Sequence, residues 1–289
     1  MKPLPPTLPV ILVRDAVESA LCEDMGLAGD VTSDSTIPKD ASASAVMNAR
    51  DEGVIAGLDV AREAFRALDQ ELRFEALVSD GDVVEGGTDI ARIAGNARAL
   101  LGAERVALNF LCHMSGIATH TRRFARRIEH TGAKIVCTRK TLPGLRAFAK
   151  YAVRCGGGSN HRYGLDDAIL IKDNHIAVAG GVTEAVRAAR SYAGHLTMVE
   201  LEVDTLDQLA RVLEMDEGPD VVMLDNMGPA ELRQGVEMIA GRMKVEASGN
   251  VDLDTVQAIA EAGVDMISTS KLTMAAPTLD IGLDIRIQG

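Results

Sequence analysis

The feature that most constrains the fold is a regular alternation of short apolar runs and helical patterns that begins at Lys134. The apolar runs, each long enough for one buried strand, are residues 134–137, 168–171, 198–203, 220–224, 243–247 and 265–268. Amphipathic segments that fit helices lie between them, for example at 206–213, 229–239 and 253–262. Repeated strand–helix units at this spacing predict a parallel sheet or an α/β barrel, with fewer strands than the eight of a complete barrel.

The first part of the chain shows no such alternation. Its periodicity predicts helices at 11–25, 58–68 and 98–130, the last with a break at Ser115 and Gly116, and strands at 44–50 and 72–78. We therefore expect an N-terminal α+β domain over residues 1–116 and an α/β barrel domain over 117–275. Residues 275–285 again alternate apolar and polar side chains, as a strand does.

Composition argues against a membrane protein and against a nucleic-acid-binding surface. The 289 residues are 47% apolar and 25% charged, and the formal net charge is −12. No apolar stretch reaches the ~18 residues of a membrane helix, and no broad basic face is evident. The four cysteines lack the spacing of a metal site, so thiols in a cytoplasmic protein are the simplest interpretation.

Basic residues are nevertheless concentrated in one segment, 137–175, which holds seven Lys and Arg residues against three Asp residues. A local excess of this kind in an acidic chain predicts an anion site. Arg grips carboxylates and phosphates in bidentate fashion while Lys acts as a point charge, so the segment suits a small ligand with several negative groups. The candidates at the strand ends and in the intervening loop are Arg139, Lys140, His161, Arg162 and Lys172.

The middle of this segment has a plainer interpretation. Arg146, Lys150 and Arg154 are spaced four residues apart, and such a stripe predicts a solvated helix face. The glycines at 156–158 then end the helix, and we expect their backbone N–H groups to approach a ligand closely.

Carboxylates follow the next two predicted strands. Glu202 lies on the third strand and Asp225 ends the fourth. Their oxygens suit Mg²⁺ held partly through water and substrate phosphates, although hydrogen bonds from ribose hydroxyls or ion pairs with Lys and Arg are alternatives. Glu200 has the same side-chain parity as Glu202, which leaves the choice of ligand between these two residues open.

Small polar residues follow the fifth and sixth predicted strands. Their hydroxyls and backbone N–H groups predict a phosphate pocket, aided by a helix N-terminus. These residues are Ser248, Gly249, Asn250, Thr269, Ser270 and Lys271. Polar groups at six successive strand ends are typical of a barrel active site, here one for a phosphorylated, anionic substrate.

The motifs of the basic segment resemble those of the quinolinate phosphoribosyltransferase family, and the resemblance extends over nearly the whole chain. They are Thr138-Arg139-Lys140-Thr141-x-Pro143-Gly144-x-Arg146, Lys150-Tyr151-Ala152-Val153, Gly156-Gly157-Gly158, Asn160-His161-Arg162, Gly164-Leu165 and Ile171-Lys172-Asp173-Asn174-His175. Cys137 departs from the family's pattern, in which Asp is common at this position, and we expect little effect on activity.

The resemblance implies a fold and a reaction. The fold is an incomplete, seven-stranded α/β barrel with an N-terminal α+β sandwich domain, which the tail 276–289 rejoins. The reaction converts quinolinate and phosphoribosyl pyrophosphate into nicotinate mononucleotide, pyrophosphate and carbon dioxide, in de novo NAD biosynthesis. It uses Mg²⁺ and needs no organic cofactor, because the pyridinium nitrogen is the electron sink.

The resemblance also assigns residues to roles. The residues that it assigns to quinolinate binding are Arg105, Thr138, Arg139, Lys140, His161, Arg162 and Lys172. It assigns phosphoribosyl pyrophosphate binding to Lys140, Glu202, Asp225 and the two small-residue loops, and Mg²⁺ binding to Glu202 and Asp225. The catalytic residues are Lys140, Lys172, Glu202 and Asp225. Arg105 of one subunit reaches its neighbour's site, which implies at least a homodimer. The alternatives are a sister phosphoribosyltransferase, of the molybdate-operon type or acting on nicotinate, and a non-catalytic binding protein on the same scaffold.

Overall fold

The computed structural model describes residues 7–286, without the side chain of residue 286, so positions 1–6 and 287–289 of the predicted terminal segments lie outside the described residues. The helices are α1 (Val10–Met25), α2 (Val31–Thr36), α3 (Leu58–Leu68), α4 (Ala97–Arg127), α5 (Arg146–Cys155), α6 (Asp173–Ala179), α7 (Val182–Tyr192), α8 (Leu206–Leu213), α9 (Pro229–Ile239), α10 (Val256–Ala260) and α11 (Lys271–Met274). The strands are β1 (Ser42–Ala49), β2 (Gly53–Val54), β3 (Arg73–Ala76), β4 (Val83–Val84), β5 (Asp89–Asn96), β6 (Lys134–Val136), β7 (Ile169–Ile171), β8 (Val199–Val203), β9 (Val221–Asp225), β10 (Lys244–Ser248), β11 (Met266–Ser268) and β12 (Ile281–Arg286). None of the described helices combines the length and the apolar character that crossing a bilayer requires.

The described residues form two compact units. The first comprises 7–122, 142–157 and 276–286, and the second comprises 123–141 and 158–275. The first unit contains an antiparallel sheet with the strand order β12-β1-β5-β3 and a small antiparallel pair, β2 with β4. Its helix α1 buries a stripe at Val13, Val17 and Leu21, whose spacing of four residues places them on one face.

Helix α4 runs without interruption through Ser115 and Gly116, so the predicted break is wrong. Gly116 is required by a close approach instead, because a methyl group there would lie 2.1 Å from the Pro277 carbonyl oxygen. The tail passes this helix before it enters β12, and the Leu279 N–H donates to the Cys112 carbonyl at 3.0 Å. Sequence alone does not distinguish a glycine that admits a neighbouring backbone from one that ends a helix.

Lys150 and Gly156 depart from the predictions for α5 and its C-terminal glycines. Lys150 is only 1% exposed, so the stripe that it shares with Arg146 and Arg154 is not a uniformly solvated face. Gly156 packs against α4, where a methyl group would lie 2.3 Å from the Ala118 carbonyl oxygen. Its N–H donates to the Ala152 carbonyl at 3.0 Å, so it is used within the helix rather than by a ligand.

The second unit contains the predicted parallel sheet, with the strand order β6-β11-β10-β9-β8-β7. Each of its six strands begins and ends within one residue of the predicted bounds. No seventh parallel strand is assigned within residues 7–286, where a single parallel bridge between Val136 and Ser159 lies beside β6. The resemblance implied seven strands, so the described sheet has one fewer.

Local sequence explains how the helices between these strands begin. The Thr205 hydroxyl accepts the Gln208 N–H at 3.2 Å and caps α8. Pro229 occupies the first turn of α9, where a missing N–H costs nothing, and Glu231 accepts the Gly228 N–H at 3.0 Å. The apolar side of α8, which includes Leu209 and Val212, is buried.

Candidate active site

The C-terminal ends of β8 and β9 bring three carboxylates together. Oxygens of Glu202, Asp204 and Asp225 all lie within 4.8 Å of one another. The Lys172 ammonium, which follows β7, forms an ion pair with Glu202. The Asn226 amide donates to Asp225 at 2.5 Å. Because all three possible ligands are hard oxygens and one is largely buried, the cluster fits a magnesium ion.

Asp204 is the member of this cluster that the sequence analysis missed. It directly follows β8 and lies two residues beyond Glu202. Because side chains alternate along a strand, a spacing of two residues points the Asp204 side chain to the same face as that of Glu202. The same parity argument that kept Glu200 under consideration would have found it.

A second cluster lies deeper and contains His161, Glu200 and Glu246. The His161 Nε2 atom is 2.9 Å from Glu200 and 3.6 Å from Glu246. The side chains of His161, Glu200 and Glu246 are 11%, 10% and 4% exposed, respectively. Burial, with a further contribution from the Glu200 charge, raises the pKa of Glu246 to about 7, and the charge of Lys172 opposes the rise. The structure thus separates the two glutamates of β8: Glu200 joins His161, and Glu202 joins the oxygen cluster.

Glu246 was not among the sequence candidates. It lies in the middle of β10, whereas the candidates were chosen from strand ends. The available signal is its position two residues before Ser248, which predicts that both side chains point to the same face. A carboxylate within an otherwise buried strand is uncommon enough to deserve a functional hypothesis.

Arg162, one of the predicted cations, is held by a local contact. Arg162 donates from Nη1 to the Ala168 carbonyl at 3.2 Å. Burial lowers the pKa of Arg162, and the nearby Arg139 charge lowers it further, while Glu200 opposes both. Positive charges that act on one another in this way favour the binding of an anion.

The loop that carries Arg139 is held by a hydrogen bond within the loop and by another from Thr273. The Thr138 hydroxyl accepts the Lys140 N–H at 3.0 Å, and the Thr273 hydroxyl donates to the Lys140 carbonyl at 2.7 Å. The Lys140 side chain itself is exposed. The Cys137 thiol, where the family often has Asp, donates to the Asn160 side chain at 3.4 Å, so this position still makes a polar contact with the His161 loop.

The two predicted phosphate loops have different constraints. Gly249 has a φ of +84°, and a methyl group there would lie 2.1 Å from the Asn226 side-chain oxygen. Asn250 also has a positive φ, of 53°, and its amide donates to the same oxygen at 3.2 Å. In the other loop, Thr269 accepts the Lys271 N–H at 3.2 Å. The helix after Ser270 has only four residues, so it offers little of the expected helix-dipole attraction.

Two further charged candidates are Lys271 and Arg105. The Lys271 ammonium is 3.5 Å from Asp252, to which it is ion-paired. Arg105 lies on α4 within the first unit and is exposed. The clusters and loops described above all belong to the second unit.

Comparison with known proteins identifies the family. Residues 30–115 match the N-terminal domain, and residues 117–284 the C-terminal domain, of quinolinate phosphoribosyl transferase. The chain belongs to the quinolinate phosphoribosyltransferase family. The resemblance inferred from the motifs is thereby confirmed.

Individual members of the family are similar over nearly their full length. A probable nicotinate-nucleotide pyrophosphorylase (carboxylating) of Bacillus subtilis is 43% identical, with 92% of this chain and 90% of that protein covered. The chloroplastic nicotinate-nucleotide pyrophosphorylase (carboxylating) of Arabidopsis thaliana is 42% identical, with 97% and 85% covered. The crystal structure of NadC from Streptococcus pyogenes superposes with a TM-score of 0.92 at 39% identity and covers 98% of this chain and 100% of that one. These likenesses confirm the α/β fold of the family.

Proposed function

We propose that the chain transfers the phosphoribosyl group of phosphoribosyl pyrophosphate to quinolinate and removes one carboxylate. The products are nicotinate mononucleotide, pyrophosphate and carbon dioxide, in de novo NAD biosynthesis. The observation that carries the proposal is the Lys172–Glu202 ion pair, which joins the predicted cation site to the carboxylate cluster in a member of this family. A dicarboxylate acceptor and a pyrophosphate donor need these two kinds of site side by side.

The cations hold the acceptor. Arg139 and Arg162 bind the carboxylates of quinolinate, and Lys172 adds a third positive charge. This grip directs the pyridine nitrogen toward the sugar carbon from which pyrophosphate departs. After the nitrogen–carbon bond forms, the carboxylate next to the nitrogen leaves as carbon dioxide. The electron pair of the broken bond stays on the ring carbon, where the positive nitrogen stabilises it. That ring carbon then takes up a proton.

The carboxylates and loops hold the donor. Glu202 and Asp225, with Asp204 beside them, bind Mg²⁺, and a bound ion supplies positive charge to the pyrophosphate. Lys140 complements the charge that builds on the departing pyrophosphate. The Ser248–Asn250 and Thr269–Lys271 loops bind the 5′-phosphate with hydroxyl and N–H groups.

Assembly and location complete the proposal. The active form is a homodimer in which Arg105 of one subunit contributes to its neighbour's site. Mixing an inactive Arg105→Ala protein with an inactive Lys172→Ala protein should then restore part of the activity. No restoration under demonstrated subunit exchange would place the whole site within one chain.

The four cysteines of the protein form no disulfide within the described chain, which supports a cytoplasmic location. Some plant relatives are nevertheless named chloroplastic or mitochondrial.

The deciding experiment measures carbon dioxide release from carboxyl-labelled quinolinate, with and without phosphoribosyl pyrophosphate and Mg²⁺. Release that requires both additions is the expected result. Nucleotide formation from nicotinate without release would instead assign a sister phosphoribosyltransferase. Absence of both products would favour a binding protein on this scaffold.

A further inference from the structure

Glu246 is a buried acid for which the proposed reaction has no stated use. Its side chain is 4% exposed, in the middle of β10, and lies 3.6 Å from the His161 ring. Its Oε1 atom, and that of Glu200, accept no hydrogen bond from any described residue. Two acids buried side by side are unfavourable for folding, because each must lose its water and their negative charges repel.

The His161 ring shows what the pair of acids can do. Its Nδ1 atom accepts the backbone N–H of Arg162 at 2.7 Å, so this nitrogen carries no proton. The proton therefore resides on Nε2, which faces both Glu200 and Glu246. The ring is thus fixed from both sides, and its orientation is linked to the backbone at Arg162.

We propose that Glu246 is a positioning residue for the acceptor pocket: with Glu200 it fixes His161, and through His161 it sets the backbone from which Arg162 reaches the substrate. Glu246 also attracts Lys172, so it is an interior counter-charge to one of the pocket's cations. This role rests on the proposed function, because it presupposes that Arg162 and Lys172 hold a dicarboxylate.

A simpler electrostatic expectation has the opposite sign. A carboxylate beneath an anion site repels the anion, so replacing it with an amide should improve quinolinate binding. A positioning role predicts weaker binding instead, because the cations lose their alignment. The direction of the change therefore separates the two effects.

The test compares Glu246→Gln with the wild type at about pH 8, where the carboxylate is ionised. We expect the quinolinate KM, and its Kd by calorimetry, to rise about tenfold, with the KM for phosphoribosyl pyrophosphate changed less than about twofold. Thermal stability should be unchanged or higher, since a buried charge is removed. Glu246→Asp, which keeps the charge at a greater distance from His161, should fall between the two. Glu217→Gln, which removes the same charge from an exposed position in this unit, is the matched control and should behave as the wild type.

A double-mutant cycle tests the route through His161. In a His161→Ala background, Glu246→Gln should add less than about twofold to the quinolinate Kd. Full persistence of its effect there would overturn the proposal, as would an unchanged or lower quinolinate KM, or equal losses for both substrates. A wild type that neither binds quinolinate nor releases carbon dioxide refutes the proposed function and this inference with it. A reactive wild type matched by Glu246→Gln refutes only the inference.

Discussion

Gly116 allows a sharp test of how the tail is held against the long helix α4. A methyl group there would lie 2.1 Å from the Pro277 carbonyl oxygen and 2.8 Å from the Thr278 Cα. Since an ordinary carbon–oxygen contact is roughly 3.3 Å, helix and tail would have to separate by about 1 Å. Both obstacles are backbone atoms, so no side-chain rotation relieves them. Overpacking of this kind costs up to about 3 kcal/mol, and loss of the nearby Leu279 to Cys112 hydrogen bond adds about 1 kcal/mol.

The higher helix propensity of Ala than of Gly offsets about 1 kcal/mol of these costs, so Gly116→Ala should destabilise the protein by about 3 kcal/mol. Thermal unfolding followed by circular dichroism should show a midpoint roughly 5–10 °C lower. The matched control is Gly102→Ala in the same helix, where the nearest atoms are the movable side-chain ends of Met25 and Leu68. That variant should stay within about 1 kcal/mol of the wild type. If Gly116→Ala is as stable as Gly102→Ala, the argument from close approach is wrong.

Three further predictions concern single side chains. Arg139→Ala should lower kcat/KM for quinolinate by about 10² or more. Arg139→Lys should restore only part of the lost kcat/KM, since Lys lacks the bidentate fork of Arg. Unchanged kinetics would remove Arg139 from the site. Burial raises the pKa of Asp80 against the hydrogen bond donated by Tyr151 at 2.5 Å, so the folded state binds a proton more tightly than the unfolded state. The free energy of unfolding should then fall relative to that of Asp80→Asn as the pH rises above about 4, and a constant difference in urea titrations would contradict this. Cys137→Ser should change kcat/KM less than about tenfold, because its contact with Asn160 is a single weak hydrogen bond; a larger loss would show that the thiol matters specifically.

The sheet of the second unit could be predicted because its signals are local. Parallel strands buried on both faces are short apolar runs, and β8 is buried at all five positions. The helices α8 and α9 were predicted with their observed bounds, and the structure shows a capping Thr205 and an N-terminal Pro229 where they begin. Strand order and the contacts between side chains are not local, and the sequence predicted neither.

The glycines show where a local reading is insufficient. Gly116 and Gly156 were interpreted by their common roles, as a helix break and as a ligand-binding turn. Each is instead a place where another backbone comes within 2.5 Å of the position that a methyl group would occupy. Which of these roles a glycine has depends on a segment distant in the sequence, such as the tail at Pro277, and periodicity contains no information about that segment.

The same limit explains why residues at the strand ends were predicted whereas Glu246, inside a strand, was missed. The rule that functional residues follow the carboxyl ends of parallel strands led to Lys172, Glu202 and Asp225, which the structure brings together. The rule does not consider residues inside the strands, because a polar residue there is usually outward-facing or paired. Yet alternation places every second residue of a strand on the inner face, so each residue at a strand end has a partner two positions earlier. Applied to Glu202 and Ser248, that rule leads to Glu200 and Glu246, the two acids that contact His161. A search for sites in parallel sheets should therefore include the residues two positions before each strand end, where the groups that orient the binding side chains are to be expected.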